Sequence, residues 1–213
     1  MFIRDVMTTN VVTIPSSTSL ADAGRIMEAH RIRRLPVVDK GKLVGVVSRD
    51  ALDKAGPSKL TTFSMHEISY LLGKIAVRDI MRTDLVTVPP EASVEEAVAL
   101  AQSRKVGTLL VIEDGRLVGI ATTNDFFYKI ANPILGIDRP GIRLSVHKWR
   151  GIADLQKILG IIDQFHAEIV TIYTMAHPDT GENDFVAHLT IPDSAGLIEE
   201  LRRNGYDVHE RAR

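Results

Sequence analysis

Short apolar stretches, helix-spaced apolar positions and paired strand-like runs follow one another along this chain, and the order occurs twice. VVTIP at 11–15 and LVTVP at 85–89 read as short strands that end on proline, which cannot donate to a sheet ladder. A helix is predicted after each. Ser19 and Ser93 stand at the N-cap, and Glu96 completes a capping box with Ser93. Leu20, Ala23 and Met27, then Val94, Ala97 and Ala101, recur at helical spacing and are expected to face the core. Two strands come next in each unit. RLPVVD (34–39) and GKLVGVVS (41–48) flank a turn at Lys40-Gly41, while TLLVIED (108–114) and GRLVGIAT (115–122) flank one at Asp114-Gly115. A second helix closes each unit.

The two units superimpose without a gap from Arg4/Arg78 to Ser48/Thr122, at the 74-residue offset that carries Met7 onto Met81. Pro15 falls on Pro89, Ser19 on Ser93, Gly41 on Gly115 and Gly45 on Gly119. One fold unit is therefore duplicated, and two copies are expected to pack face to face. Between them, Gly56 and Pro57 break the preceding helix. Ser64 with Glu67 offers another capping box for a connector helix through Ile68, Leu71 and Leu72.

The pattern changes after about residue 132. NPILGIDRPG reads as a boundary loop, and IRLSVHK as an alternating strand. GIADLQKILGIIDQFHA is a helix with Ile152, Leu155, Ile158 or Leu159, and Ile162 on one face. EIVTIYTMAHP and NDFVAHLTIP are strands around a turn holding Asp179-Thr180-Gly181. A helix, SAGLIEELRRNGY, follows with Ser194 as its cap, and DVHER is a last strand. The order βαββαβ predicts an antiparallel four-stranded sheet with two helices on one face, a ferredoxin-like layout. The fold class is α+β.

Composition narrows the function more than the fold. The chain has 213 residues, a formal net charge of −1 and no cysteine. No field drives it onto nucleic acid or an anionic membrane, and thiol catalysis and thiolate metal sites are excluded. The N-terminus is interrupted by Arg4 and Asp5 and does not read as a signal peptide, and no apolar run reaches membrane-spanning length. A cytoplasmic protein is expected. The seven histidines include no pair at ligand spacing with a carboxylate, and His66-Glu67 lacks the second histidine of a zinc helix. No nucleophile–base set is legible, so no catalytic residue, metal or required cofactor is expected.

RDVMTTNVVTIP, IRRLPVVDKGKLVGVVSRD, RDIMRTDLVTVP and VIEDGRLVGIATTND together resemble the CBS domain in tandem form. The resemblance covers residues 1–131, as repeat one (about 1–56), a connector (57–76) and repeat two (77–131). Residues 141–213 resemble an ACT domain by element order. The connector and the combination resemble the AcuB-type family of acetoin-utilisation proteins. CBS pairs imply adenine nucleotide binding (AMP, ADP or ATP) in the cleft between repeats. The family pattern is glycine, two apolar residues, Ser or Thr, two variable residues, then Asp. Repeat two carries it whole, with Gly119, Thr122 and Asp125 and with polar Asn124 between. Repeat one has Gly45 and Ser48, but Ala51 at the Asp position and Asp50 one residue early. A step of one residue turns a helical side chain by about 100°, so two unequal sites are expected. The resemblance places adenine against Val11, Val12 and Ile32, phosphate near Thr122 and Arg33 or Arg34, and ribose on Asp125.

The ACT resemblance implies an amino acid at the loop HKWRG, with Gly151 as a close-approach glycine. DRPG stands at 138–141, before the strand rather than after it, and reads as a boundary turn. Amino-acid binding and purely structural pairing both stay open. The whole chain reads as a regulatory homodimer that senses adenine nucleotides, with an unknown downstream target. The alternative is a constitutive assembly protein.

Overall fold

The computed structural model describes residues 1–55, 72–147, 149–176 and 181–212. The expected capping box at Ser64 and Glu67 and most of the turn at 179–181 lie outside them. By its contacts the chain divides into two compact units, Met1–Phe126 and Phe127–Arg213.

The first unit contains both repeats. Repeat one comprises α1 (Ile3–Val6), α2 (Leu20–Ala29), β1 (Arg34–Asp39), β2 (Lys42–Ser48) and α3 (Arg49–Ala55). Repeat two comprises a 3-10 turn (Val77–Asp79), β3 (Thr87–Val88), α4 (Val94–Ser103), β4 (Thr108–Glu113), β5 (Arg116–Thr122) and α5 (Thr123–Phe126). The caps form as the sequence dictates. Ser19 Oγ accepts from the Asp22 N–H at 3.1 Å, and Ser93 and Glu96 cap each other reciprocally, both at 3.1 Å. Lys40 and Gly41, then Asp114 and Gly115, all have positive φ, as tight type I′ hairpin turns require. Both hairpins carry a bulge at the equivalent place, after Val37 and after Val111.

The strands expected at 11–15 and 85–89 are much shorter. The second is the two-residue β3, parallel to β4, and the first is a single bridge from Ile14 to Val37. Ile14 is buried, whereas Val11 and Val12 are half-buried. The chain touches the sheet for only a residue or two before its proline turns it toward the helix.

The N-terminal arms are exchanged between repeats. Thr8 bridges Ile120 on β5 through backbone bonds of 2.9 and 3.0 Å, and Arg82 bridges Val46 on β2 in the same way. Phe2 pairs with Ser93, and Ala76 with Ser19. The 74-residue offset relates each pair to the other, so the exchange obeys an internal two-fold. This explains the repeated glycines. A Cβ on Gly45 would lie 2.5 Å from Met81 Sδ, and one on Gly119 would collide with Met7 Sδ closer still. Each strand needs a bare backbone where the other repeat's arm crosses it.

The second unit begins with a π-helical turn (Phe127–Ala131) and α6 (Asn132–Leu135). It continues with β6 (Ile142–His147), α7 (Gly151–Gln164), β7 (Glu168–Ala176), β8 (Asn183–Thr190), α8 (Ala195–Arg203) and β9 (Asp207–Ala212). The sheet order is β7-β8-β6-β9, antiparallel throughout. Leu144, Val146, Phe185, Ala187 and Leu189 meet Ile158, Ile162, Leu197 and Leu201 in one core, so α7 and α8 cover the same sheet face.

Three local expectations are corrected here. Ile152 is 75 % exposed; it lies in the first turn of α7, before the helix reaches the sheet, and Ile161 takes the buried place instead. Ser194 does not cap α8, since its own backbone is already helical; Asp193 Oδ1 accepts from the Ala195 N–H at 2.9 Å and the Ser194 hydroxyl donates to Glu210. Gly151 has no close neighbour and is required by its φ of +70°, while the close approach belongs to Gly141, whose added Cβ would strike the Leu189 carbonyl.

Candidate functional site

At the end of β5 the chain turns into α5, and Thr122 and Asp125 cap that turn. Asp125 Oδ2 accepts from the Thr122 N–H at 2.8 Å and from its hydroxyl at 2.7 Å. The other oxygen, Oδ1, accepts from the Thr8 hydroxyl at 3.1 Å. Thr8 is delivered by the exchanged arm, so one carboxylate is oriented by both repeats. Bonds to these donors hold the carboxylate in one orientation.

A cavity of about 400 Å³ opens beside this carboxylate. Val11, Val12 and Ile32 form one wall, and Val12 and Ile32 also pack on the repeat-one core. Arg31, Arg33 and Arg34 line the same cavity, as do Thr122, Asn124 and Asp125. The eight expected residues Val11, Val12, Ile32, Arg33, Arg34, Thr122, Asn124 and Asp125 thus meet in one place. Ser48 does not join them; at the end of β2 its Oγ accepts from the Ala51 N–H at 3.2 Å and caps α3.

The arginines differ in their surroundings. Arg34 reaches across to repeat two, where a Cβ on Gly107 would stand 3.4 Å from its Nη2. The missing side chain at Gly107 makes room for it. Arg33 Nη2 donates to Asp50 Oδ1 at 2.9 Å. Asp50 is thereby turned toward an arginine. Among the described residues no acidic partner is recorded for Arg31 or Arg34. Arg31 has a left-handed φ of 53°, because it follows the C-terminus of α2.

Sequence reasoning did not single out Thr8, Arg31 or Thr123, and Gly107 enters it only as the uncharged counterpart of Arg33. The offset alone relates Thr8 to Arg82, so no repeated motif marks it; only the arm exchange brings it to Asp125. Arg31 could have been read from the run RIRR.

In the second unit, Trp149 packs on the core, and the Arg150 N–H donates to Asp154 at 2.6 Å. The Tyr206 hydroxyl bonds the same carboxylate at 3.3 Å, and burial, then the Asp154 charge, raises its pKa. Asp138 and Arg139, from DRPG, line a separate depression of about 640 Å³ together with Thr171. His147 Nδ1 lies 2.6 Å from Asp184, and His209 lies 3.2 Å from Asp207. No cluster of three metal-ligating side chains occurs among the described residues. Among them, too, no helix is long and apolar enough to cross a membrane.

Comparison with known proteins places these features in a family. The CBS-domain model matches residues 3–57 and 77–132. A solved structure from Vibrio cholerae that bears the name acetoin utilization protein (AcuB) is 34% identical, with a TM-score of 0.53, over 64% of this chain and 94% of that one. The inosine-5'-monophosphate dehydrogenase of Korarchaeum cryptofilum is 34% identical over 64% of this chain, but the match spans only 26% of that enzyme. The CBS pair of protein MJ0100, solved with 5'-methylthioadenosine and S-adenosylmethionine, is 24% identical with a TM-score of 0.51, over 62% of this chain and 97% of that one. That last likeness is one of fold.

Proposed function

The chain belongs to the CBS-domain family, and from that premise and the cleft geometry we propose that it is a regulatory protein that senses AMP, ADP or ATP between its repeats. The observation that carries this reading is the meeting of three chemistries around one cavity. The apolar wall of Val11, Val12 and Ile32 suits a purine face. The fixed carboxylate of Asp125 suits two ribose hydroxyls, one of them taking the place of the Thr8 donor. Arg31, Arg33 and Arg34 suit phosphate. A volume of about 400 Å³ falls within the usual range for small-molecule sites, about 300–1,000 Å³. MJ0100 illustrates that a CBS pair can hold adenosine compounds. The arginines favour an anionic member of that class here over a cationic sulfonium.

In this reading occupancy acts without catalysis. A ligand that touches Val12 and Ile32 on one repeat and Asp125 on the other favours the arrangement in which these groups face each other. The second unit is proposed to be an ACT-type regulatory and pairing domain, and the assembly a homodimer. Calorimetry of the whole chain against adenosine, AMP, ADP, ATP and S-adenosylmethionine tests the sensing role. Saturable binding of the nucleotides, tighter than of S-adenosylmethionine, is expected. A folded chain that binds no adenine compound would leave the constitutive assembly role in its place, and steady turnover of a bound nucleotide would overturn the non-catalytic reading. Sedimentation at micromolar concentration tests the dimer, and a monomer there refutes it.

A further inference from the structure

The ion pair between Arg33 and Asp50 breaks the internal symmetry of the repeats. The 74-residue offset carries Arg33 onto Gly107 and Asp50 onto Asn124, so repeat two cannot form it. The backbone at the two places is nonetheless alike. The Arg49 N–H donates to the Arg33 carbonyl at 2.8 Å, and the Thr123 N–H to the Gly107 carbonyl at 3.3 Å. The shared fold therefore does not need the pair. Nor does stability account for it: the two side chains are 74% and 71% exposed, and solvated ion pairs contribute little. What the pair does alter is the charge offered to the cleft. Arg31, Arg33 and Arg34 all line the cavity, and Asp50 neutralises one of them.

We infer that Asp50 is a specificity-determining counter-ion that offsets the Arg33 charge offered to the cleft, so that a phosphorylated ligand must compete with it for Arg33 while an unphosphorylated one need not. The inference rests on the nucleotide reading of the cleft. It assigns Asp50 a role opposite in sign to that of a ribose ligand. A ribose ligand strengthens binding of every adenosine compound, whereas a competing counter-ion weakens binding of the phosphorylated ones alone. Its strength is bounded by the exposure of the pair, so its removal is worth a small factor. Salt screens both the pair and its competitor, so the effect fades as ionic strength rises.

The test is calorimetry on the full chain with adenosine and AMP, at ionic strengths of about 0.1 M and about 1 M. Asp50→Asn keeps the shape and removes the charge. It is expected to tighten AMP binding roughly two- to fivefold at the lower ionic strength, to leave adenosine unchanged, and to lose the gain at the higher one. In an Arg33→Ala background, Asp50→Asn should leave AMP binding unchanged. A thermal melt of each variant establishes that it is folded. Weaker binding of both adenosine and AMP by Asp50→Asn would make Asp50 a ribose ligand and overturn the inference. A gain that persists without Arg33 would reduce it to a general charge effect, and unaltered AMP binding by a folded variant would remove it. Where wild type binds both compounds, these failures leave the nucleotide reading standing. Where wild type binds neither, that reading falls and the inference with it.

Discussion

Replacing Asp125 tests the cleft at its most constrained group. Its two oxygens accept from the Thr122 backbone, the Thr122 hydroxyl and the Thr8 hydroxyl. The group therefore caps α5 and joins the repeats before any ligand arrives. A ribose presents two hydroxyls; one replaces Thr8, so the net gain on binding is about one charge-assisted bond. Such a bond contributes roughly 1.5–3 kcal/mol, or about ten- to a hundredfold in affinity. Asp125→Ala should weaken AMP and adenosine alike by that factor. Asp125→Asn, which keeps an acceptor but not the charge, should fall near the lower end. Loss of the cap costs about 1 kcal/mol of stability, so melting and binding are measured together. Calorimetry with 2'-deoxy-AMP supplies the second arm: it should bind wild type more weakly than AMP does, yet lose little further in Asp125→Ala. If Asp125→Ala melts cooperatively and binds AMP within about twofold of wild type, the ribose has been assigned to the wrong group.

Other outcomes follow from the packing. Gly119→Ala should destabilise the first unit by about 1–3 kcal/mol through collision with Met7, and Met7→Ala should recover part of that loss; urea unfolding measures both. Gly45→Ala should be destabilising in the same way, through Met81 and the Arg82 carbonyl oxygen, which lies 3.2 Å from the added Cβ. Burial holds the Tyr206 hydroxyl protonated above its ordinary 10.0. Its contribution to folding is therefore complete below about pH 10 and is lost as pH rises through the folded value. Tyr206→Phe should flatten that alkaline loss in melting temperature, and an unchanged slope would exonerate the group. A chain ending at Ala131 should stay soluble and bind AMP as the full chain does; loss of binding by a folded dimer of it would refute an independent first unit.

The parts of the fold legible in sequence are those set by neighbours along the chain. Lys40-Gly41 and Asp114-Gly115 dictate their hairpins through positive φ, and Ser93 with Glu96 dictates a helix start. These are local energies and need no knowledge of the partner sheet. The arm exchange is different. VMTT and IMRT have the same local pattern whether each arm folds onto its own repeat or the other. What decides is the contact of Met7 with Gly119 and of Met81 with Gly45, which the repeat hides by being symmetric. Thr8 was missed for that reason, and the pairing of Arg33 with Asp50 is likewise a distance between elements. Ile152 failed because periodicity runs through a helix's first turn, before that helix reaches the core, and Ser194 because its own backbone is already helical.

The two repeats are alike where they hold each other and unlike where they face the cleft. Ile3 and Val77, Leu20 and Val94, Leu35 and Leu109, and Val37 and Val111 are buried in pairs. The crossing glycines and both capping serines also match. Four differences meet at one opening: Asp125 against Ala51, Thr8 against Arg82, Arg33 against Gly107 and Arg34 against Thr108. A scaffold that served only to assemble would gain nothing by placing a carboxylate on one side and arginines opposite it within a single cavity. Other charge differences do lie elsewhere, as at Ala21/Glu95, Arg25/Ala99 and Lys40/Asp114, on solvent-facing positions where most substitutions are nearly neutral. The four at the cleft are distinguished by meeting around one cavity, and the proposed nucleotide reading puts the ligand there for that reason.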